Sequence, residues 1–230
     1  MMKTKQKKKQ NKIKRNLLKI EKTIELVQKK ERKPPKIIAV TKNQPIEKIK
    51  QAISAGIEII GENKIQEAEK KFKNIKIQIE KHFIGHLQTN KTKKAVKMFD
   101  VIQTADTEKI IIKINEEAKK INKKQKIMLQ INTANDKNKH GFKNTEILTN
   151  CLKLKKYKNI EIIGVMMIAP QKKTRKELQG IFKKTKRIQQ EIKKEIKKCE
   201  QISMGMSNDY IEAVKEGATH IRIGAALFEK

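Results

Sequence analysis

Three places in the 230-residue chain combine residue types that could do chemistry. The first is Lys42, which follows the apolar run Ile37-Ile38-Ala39-Val40 and Thr41, with Pro45 shortly after. An amine set at the end of a buried strand is a candidate nucleophile toward an aldehyde. The second is Ser203-Met204-Gly205-Met206-Ser207 and the third is Arg222-Ile223-Gly224-Ala225-Ala226. Glycine lets a backbone N–H approach an anion, and a helix start adds partial positive charge. Taken together, the three suggest imine formation with an aldehyde that carries an anionic group. Lysine makes up 52 of the 57 basic residues, so Lys42 has to be justified by its position rather than its type.

Position depends on the elements, and the apolar pattern alternates between two periods. Ile13, Leu17, Ile20, Ile24 and Val27 step by four and three, one face of a helix, until the Pro34-Pro35 pair breaks it. Strand-like runs follow at 36–42, 57–60, 81–85, 100–105, 126–132, 160–168, 201–205 and 219–224, each succeeded by a helical pattern. Pro45 suits the first turn of the helix that holds Ile46, Ile49 and Ile53, and Gly56 suits its stop. Eight strand–helix units in about 200 residues predict a single (β/α)8 TIM-type barrel with an extra N-terminal helix. One domain is expected over 1–230, with 1–35 as the helix and a basic lead-in. An open doubly wound sheet is the alternative, but no GxGxxG follows the first strand.

Barrels of this type carry their chemistry at the carboxyl ends of the strands. Those ends hold Lys42, then Gly61-Glu62-Asn63, then Gly85-His86, then Met166-Met167, and finally the two glycine-bearing segments after strands seven and eight. Strand one neighbours strand eight in a closed barrel, so Lys42 is expected beside a phosphate cradle. Pyridoxal phosphate (PLP) is the common aldehyde with an anionic tail.

The formal charge of +32 invites a nucleic-acid reading. Three features oppose specific recognition. The lysines run the whole length, aromatics are 3% with no Trp, and Arg occurs only at 15, 32, 175, 187 and 222. Lys, Ile and Asn share AT-rich codons, and the hypothesis for the composition is mutational drift. Loss of function on discharging helix surfaces would refute it. Weak polyanion binding at low salt is expected regardless. Cys151 and Cys199 show no CxxC spacing, and neither a metal nor a disulfide framework is implied. The basic start lacks a following signal-like apolar run, and no segment approaches a membrane span. A soluble cytoplasmic chain, monomeric or weakly dimeric, is expected.

The segments IIAVTKNQP, AGIEIIGENKIQEAEKK, HFIGHLQTNKTK, GVMMIAP and SMGMSNDYIEAVKEGATHIRIGAALF, in that order across roughly 36–228, resemble the signatures of the pyridoxal phosphate homeostasis proteins (the YggS/PROSC family). The resemblance implies one barrel related to the N-terminal barrel of alanine racemases. It implies a Schiff base between PLP and Lys42, in a protein that buffers the cofactor rather than catalysing strongly, with PLP-dependent apo-enzymes as possible recipients. It implies Arg222 against the pyridine nitrogen, where a cation disfavours protonation and weakens the ring as an electron sink. Ser203, Gly205, Gly224 and Ala225 would donate to the phosphate, while Asn63, His86 and Met166 would line the pocket. Ala225 departs from the Thr common in the family, at a cost of roughly 0.5–1.5 kcal/mol for one hydroxyl donor.

A weak PLP-dependent racemase or transaminase is the first rival, and a basic polyanion-binding protein the second. Racemases use a second base, a Tyr from a further domain, and Tyr157 and Tyr210 are poor substitutes at their places in the pattern. Metal binding by His82 and His86 is rejected, because four strand residues span roughly 13 Å. Cys- and Ser-nucleophile motifs such as GxSxG are absent.

Overall fold

The computed structural model describes residues 2–229 apart from 135, 137, 138 and 145, with side chains from 12 onward except at 148. The order is α1 (Met2–Val27), β1 (Lys36–Val40), α2 (Ile46–Ser54), β2 (Ile59–Glu62), α3 (Ile65–Phe72), β3 (Glu80–Phe83), a 3-10 turn (Thr89–Lys91), α4 (Thr92–Met98) and β4 (Val101–Ala105). Then come α5 (Glu108–Lys120), β5 (Gln125–Gln130), α6 (Ile147–Leu154), β6 (Ile160–Met166), α7 (Arg175–Glu195), β7 (Gln201–Met206), α8 (Tyr210–Glu216), β8 (His220–Ile223) and α9 (Ala225–Phe228). Among the described residues the eight strands are parallel and close into a barrel in sequence order, as the alternating pattern predicts. The closing pair runs from Lys36 against His220 to Ala39 against Ile223.

Isoleucine dominates because these strands are buried on both faces, where β-branched side chains pack well. Ile60, Ile102, Ile127, Val165 and Ile221 face the helices and are buried there. Val101, Met128, Ile163 and Met166 form a separate buried cluster. The first helix lays Ile13, Leu17, Ile20 and Ile24 against α2, α8 and α9. Its Asn16 amide also donates to the Leu227 carbonyl at 3.1 Å, which ties the start of the chain to its end. The longest helix of the outer ring, α7, is started by a capping box in which Thr174 and Glu177 satisfy each other's backbone. Two details depart from the pattern. The connection after β3 begins with the 3-10 turn, and the last helix, α9, is only four residues long.

A chain of hydrogen bonds threads the barrel interior. The Arg222 guanidinium donates to Ser203 Oγ at 2.7 Å, and Ser203 donates to Gln103 Oε1 at 2.7 Å. The Gln103 amide then faces His82 Nδ1 at 2.7 Å, and His82 Nε2 lies 2.8 Å from Glu80. Since Gln103 Oε1 accepts, its NH2 must donate to His82 Nδ1, which leaves the proton on Nε2 pointing at Glu80. Buried polar groups in a barrel centre need this kind of complete pairing.

Candidate functional site

Lys42 sits in the turn after β1, at the carboxyl rim, and it is exposed. Its place at the end of a buried strand predicts partial burial, but the turn carries Lys42 past the last ladder bond, from Thr41 N–H to the Gly61 carbonyl at 2.9 Å. Both of its neighbours are held. Thr41 Oγ1 donates to Glu62 Oε1 at 2.6 Å, and Lys71 Nζ donates to the Thr41 carbonyl at 2.5 Å. Asn43, in the left-handed region at φ 57°, donates its N–H to Glu67 Oε1 at 2.6 Å. Lys71 bridges the two carboxylates, 2.8 Å from Glu62 and 2.6 Å from Glu67. Burial pushes Glu62 up, against Lys71 and Thr41, which pull it down. Glu67 is also pushed up by burial, but Lys71 and the Asn43 N–H hold it below the usual carboxylate range.

Strand eight closes against strand one beside this turn. An added Cβ on Gly224 would stand 3.5 Å from Val40 Cβ, two residues before Lys42. Ser207 Oγ accepts from the Gly224 and Ala226 N–H groups, both at 3.2 Å. Ala225 lies exposed between them. Ser207 Oγ takes both N–H groups and keeps its own O–H to donate, so an anion that displaced the hydroxyl would meet two N–H groups aimed at one point. Arg222 lies below, 3% exposed, with its second nitrogen donating to the Met167 carbonyl at 2.8 Å. Burial pushes its guanidinium down to about 10, opposed by Asp209, so it stays cationic near neutral pH.

Three expected residues stand elsewhere than the sequence reading places them. Ser203 is fully buried and its hydroxyl is spent on Gln103 and Arg222, so it is no rim donor. Ser207, next along the chain after β7, stands at the rim instead. Gly205 has φ 89°, and a side chain there would meet Ala213 Cβ at 2.6 Å, so its glycine serves the turn and the packing of α8. Met166 is fully buried in the cluster with Val101, Met128 and Ile163. Asn63 lines a small cavity of about 120 Å³ together with His86 and Phe83, and its Oδ1 is buried without a partner among the described residues. Gly85 permits that approach, since a Cβ would fall 2.1 Å from the Asn63 carbonyl oxygen.

His82 and His86 point to different places, His82 into the barrel thread and His86 to the rim. At the rim His86 meets Asp106 and His140, two residues the sequence reading did not single out. They line a cavity of about 480 Å³ with Leu87, Thr107 and Lys109. A larger cavity, about 600 Å³, lies against α1 and the amino ends of β1 and β2. Barrel chemistry belongs to the opposite rim, where the cationic and anion-binding groups are.

The family model for the alanine racemase N-terminal domain matches residues 15–229. A pyridoxal phosphate homeostasis protein from Buchnera aphidicola is 38% identical over 226 residues, covering 95% of this chain and 98% of the relative. The chain belongs to the pyridoxal phosphate homeostasis protein family. PipY of Synechococcus elongatus, solved with PLP bound, superimposes with a TM-score of 0.83 at 31% identity, over 94% of this chain and 99% of PipY. Alanine racemase from Corynebacterium glutamicum shares the barrel, with a TM-score of 0.78 at 13% identity over 96% of this chain and 62% of the racemase. That likeness concerns the fold alone. Among the described residues no helix is long and apolar enough to cross a membrane.

Proposed function

We propose that this homeostasis-family member binds PLP covalently through Lys42 and serves intracellular vitamin B6 homeostasis. The observation that carries it is the convergence at one rim of the braced Lys42 turn and the Ser207–Gly224–Ala226 donor set. These residues fit the cofactor. Ser207 and the flanking N–H groups suit its phosphate, Arg222 supplies a fixed cation for the ring, and Asn63 offers an unpaired buried carbonyl oxygen. The cofactor supplies an aldehyde that condenses with amines and a ring that can accept electrons. Arg222 would set positive charge near the ring and disfavour its protonation, which would favour holding over amino-acid chemistry. PLP-requiring apo-enzymes are the proposed recipients, the cytoplasm the proposed site, and 1–230 one functional unit.

The test must separate Lys42 from the other lysines. The chain is loaded with PLP, the visible absorbance band is recorded, and borohydride reduction followed by peptide mass spectrometry maps the adduct. The band and the adduct should localise to Lys42 and vanish in Lys42→Ala. A band that persists in Lys42→Ala, with its adduct spread over surface lysines, refutes the reading. A chiral assay with amino acids measures racemase turnover, which should be negligible.

A further inference from the structure

The chain has four histidines, and two of them stack over one buried carboxylate at the barrel rim. We propose that His86, Asp106 and His140 form a site for a borderline-soft divalent cation of the Zn²⁺ class. Three separate connections deliver them: His86 follows β3, Asp106 follows β4, and His140 follows β5. Their ligand atoms all lie within 4.8 Å of one another. Asp106 Oδ2 takes His86 Nδ1 at 3.0 Å and stands 3.9 Å from His140 Nδ1.

Asp106 is the second, independent observation. Its side chain is 2% exposed, and its other oxygen, Oδ1, is buried without a hydrogen-bond partner among the described residues. A desolvated carboxylate with one oxygen unsatisfied is costly unless a cation or donor completes it. The imidazole rings stack 3.9 Å apart at 13°, which gathers two ring nitrogens beside the carboxylate.

The donor chemistry selects the ion. Two imidazole nitrogens and one carboxylate match the three protein ligands of an open zinc site, whereas Mg²⁺ and Ca²⁺ take oxygen ligands. The fourth position faces the cavity of about 480 Å³. Nearly parallel rings cannot aim both nitrogens at one ion, so one imidazole must turn. His140, with its side chain 62% exposed, is placed to do so.

The test uses the full chain, stripped with a chelator and titrated with Zn²⁺ by calorimetry and with Co²⁺ by visible absorption. One saturable Zn²⁺ per chain is expected, with an intense d–d band for Co²⁺. His140→Ala, an exposed position that should not disturb folding, and Asp106→Asn should each weaken binding by about tenfold or more. Circular dichroism checks that both variants are folded. No saturable binding to the unaltered chain overturns the proposal, and so does unchanged affinity in folded His140→Ala.

Discussion

The two halves of the barrel mouth are built in opposite ways. On the side of β8, β1 and β2, both neighbours of Lys42 are fixed by hydrogen bonds, and Glu62, Glu67 and Lys71 interlock through bonds of 2.6 to 2.8 Å. On the side of β3, β4 and β5, the polar groups converge without locking. His86 is exposed, and His140 stands 3.9 Å from Asp106. The difference teaches where pre-organisation is spent. An amine that must meet an aldehyde in one orientation gains from a rigid turn, because the ordering is complete before the ligand arrives. Side chains that close around an ion or a second ligand need freedom to move.

The largest effect should come from breaking the rigid half. Lys71→Met removes the cation between two carboxylates, one of them Glu62 at 0% exposure. Leaving a buried carboxylate unpaired costs about 3 kcal/mol or more. Urea unfolding should show this loss, and Glu62→Gln combined with Lys71→Met should recover part of it. If Lys71→Met costs nothing, the turn is not braced and the contrast between the halves disappears.

A second effect compares histidines beneath and on the rim. His220, 4% exposed on β8, is pushed down to about 3 by burial, with His82 and Lys36 adding to the shift and Glu80 opposing it. Unfolded, it would titrate near 6.5. The unfolded chain therefore binds more protons than the folded one between these values. Stability attributable to His220 is full above pH 6.5 and is lost progressively as pH falls toward 3. His220→Gln should flatten that slope in a pH series of thermal melts. An unchanged slope in His220→Gln would mean that the buried imidazole beneath the rim does not set the acid limit.

A third, smaller effect separates two serines of one strand end. Ser207→Ala should weaken PLP binding by about tenfold, the size of one hydrogen bond to a charged group, with little loss of stability. Ser203→Ala should do the reverse. It strips a partner from Arg222 and Gln103 at a cost of about 1–3 kcal/mol, without removing a phosphate donor. Equilibrium titration followed by absorbance, set beside denaturation curves, distinguishes the two.

Those serines also mark how far the sequence could be read. The strands were legible because burial on both faces leaves unbroken runs such as Ile37-Ile38-Ala39-Val40, and Lys42 was legible as the first polar side chain with an amine after such a run. Ser203 was assigned to the rim because the run ends near it. The register of β7 against β8 shifts between Ser203 and Met206, at the left-handed Gly205, so simple alternation fails there. Ser203 stays inside and Ser207 reaches the rim. The thread from Arg222 to Glu80 was illegible, because its members come from three other strands besides that of Ser203 and no spacing links them. His140 was illegible too. It lies in the long connection after β5, where no periodicity says which way a side chain points.

The smallest predicted effect is the sharpest test of the adjustable half. His140 packs one ring face on His86 and leaves most of its surface to solvent. In the absence of added metal, His140→Ala should change stability by no more than about 0.5 kcal/mol, the range of surface substitutions. A loss as large as that of Lys71→Met would mean the imidazole stack carries the Asp106 corner as a fixed strut. Both halves of the mouth would then be braced alike, and His140 would not be free to turn toward an ion. Unchanged stability, together with a faster exchange of the amide hydrogens near His140 than of those around Thr41 and Asn43, would fix the asymmetry as a property of the folded chain itself.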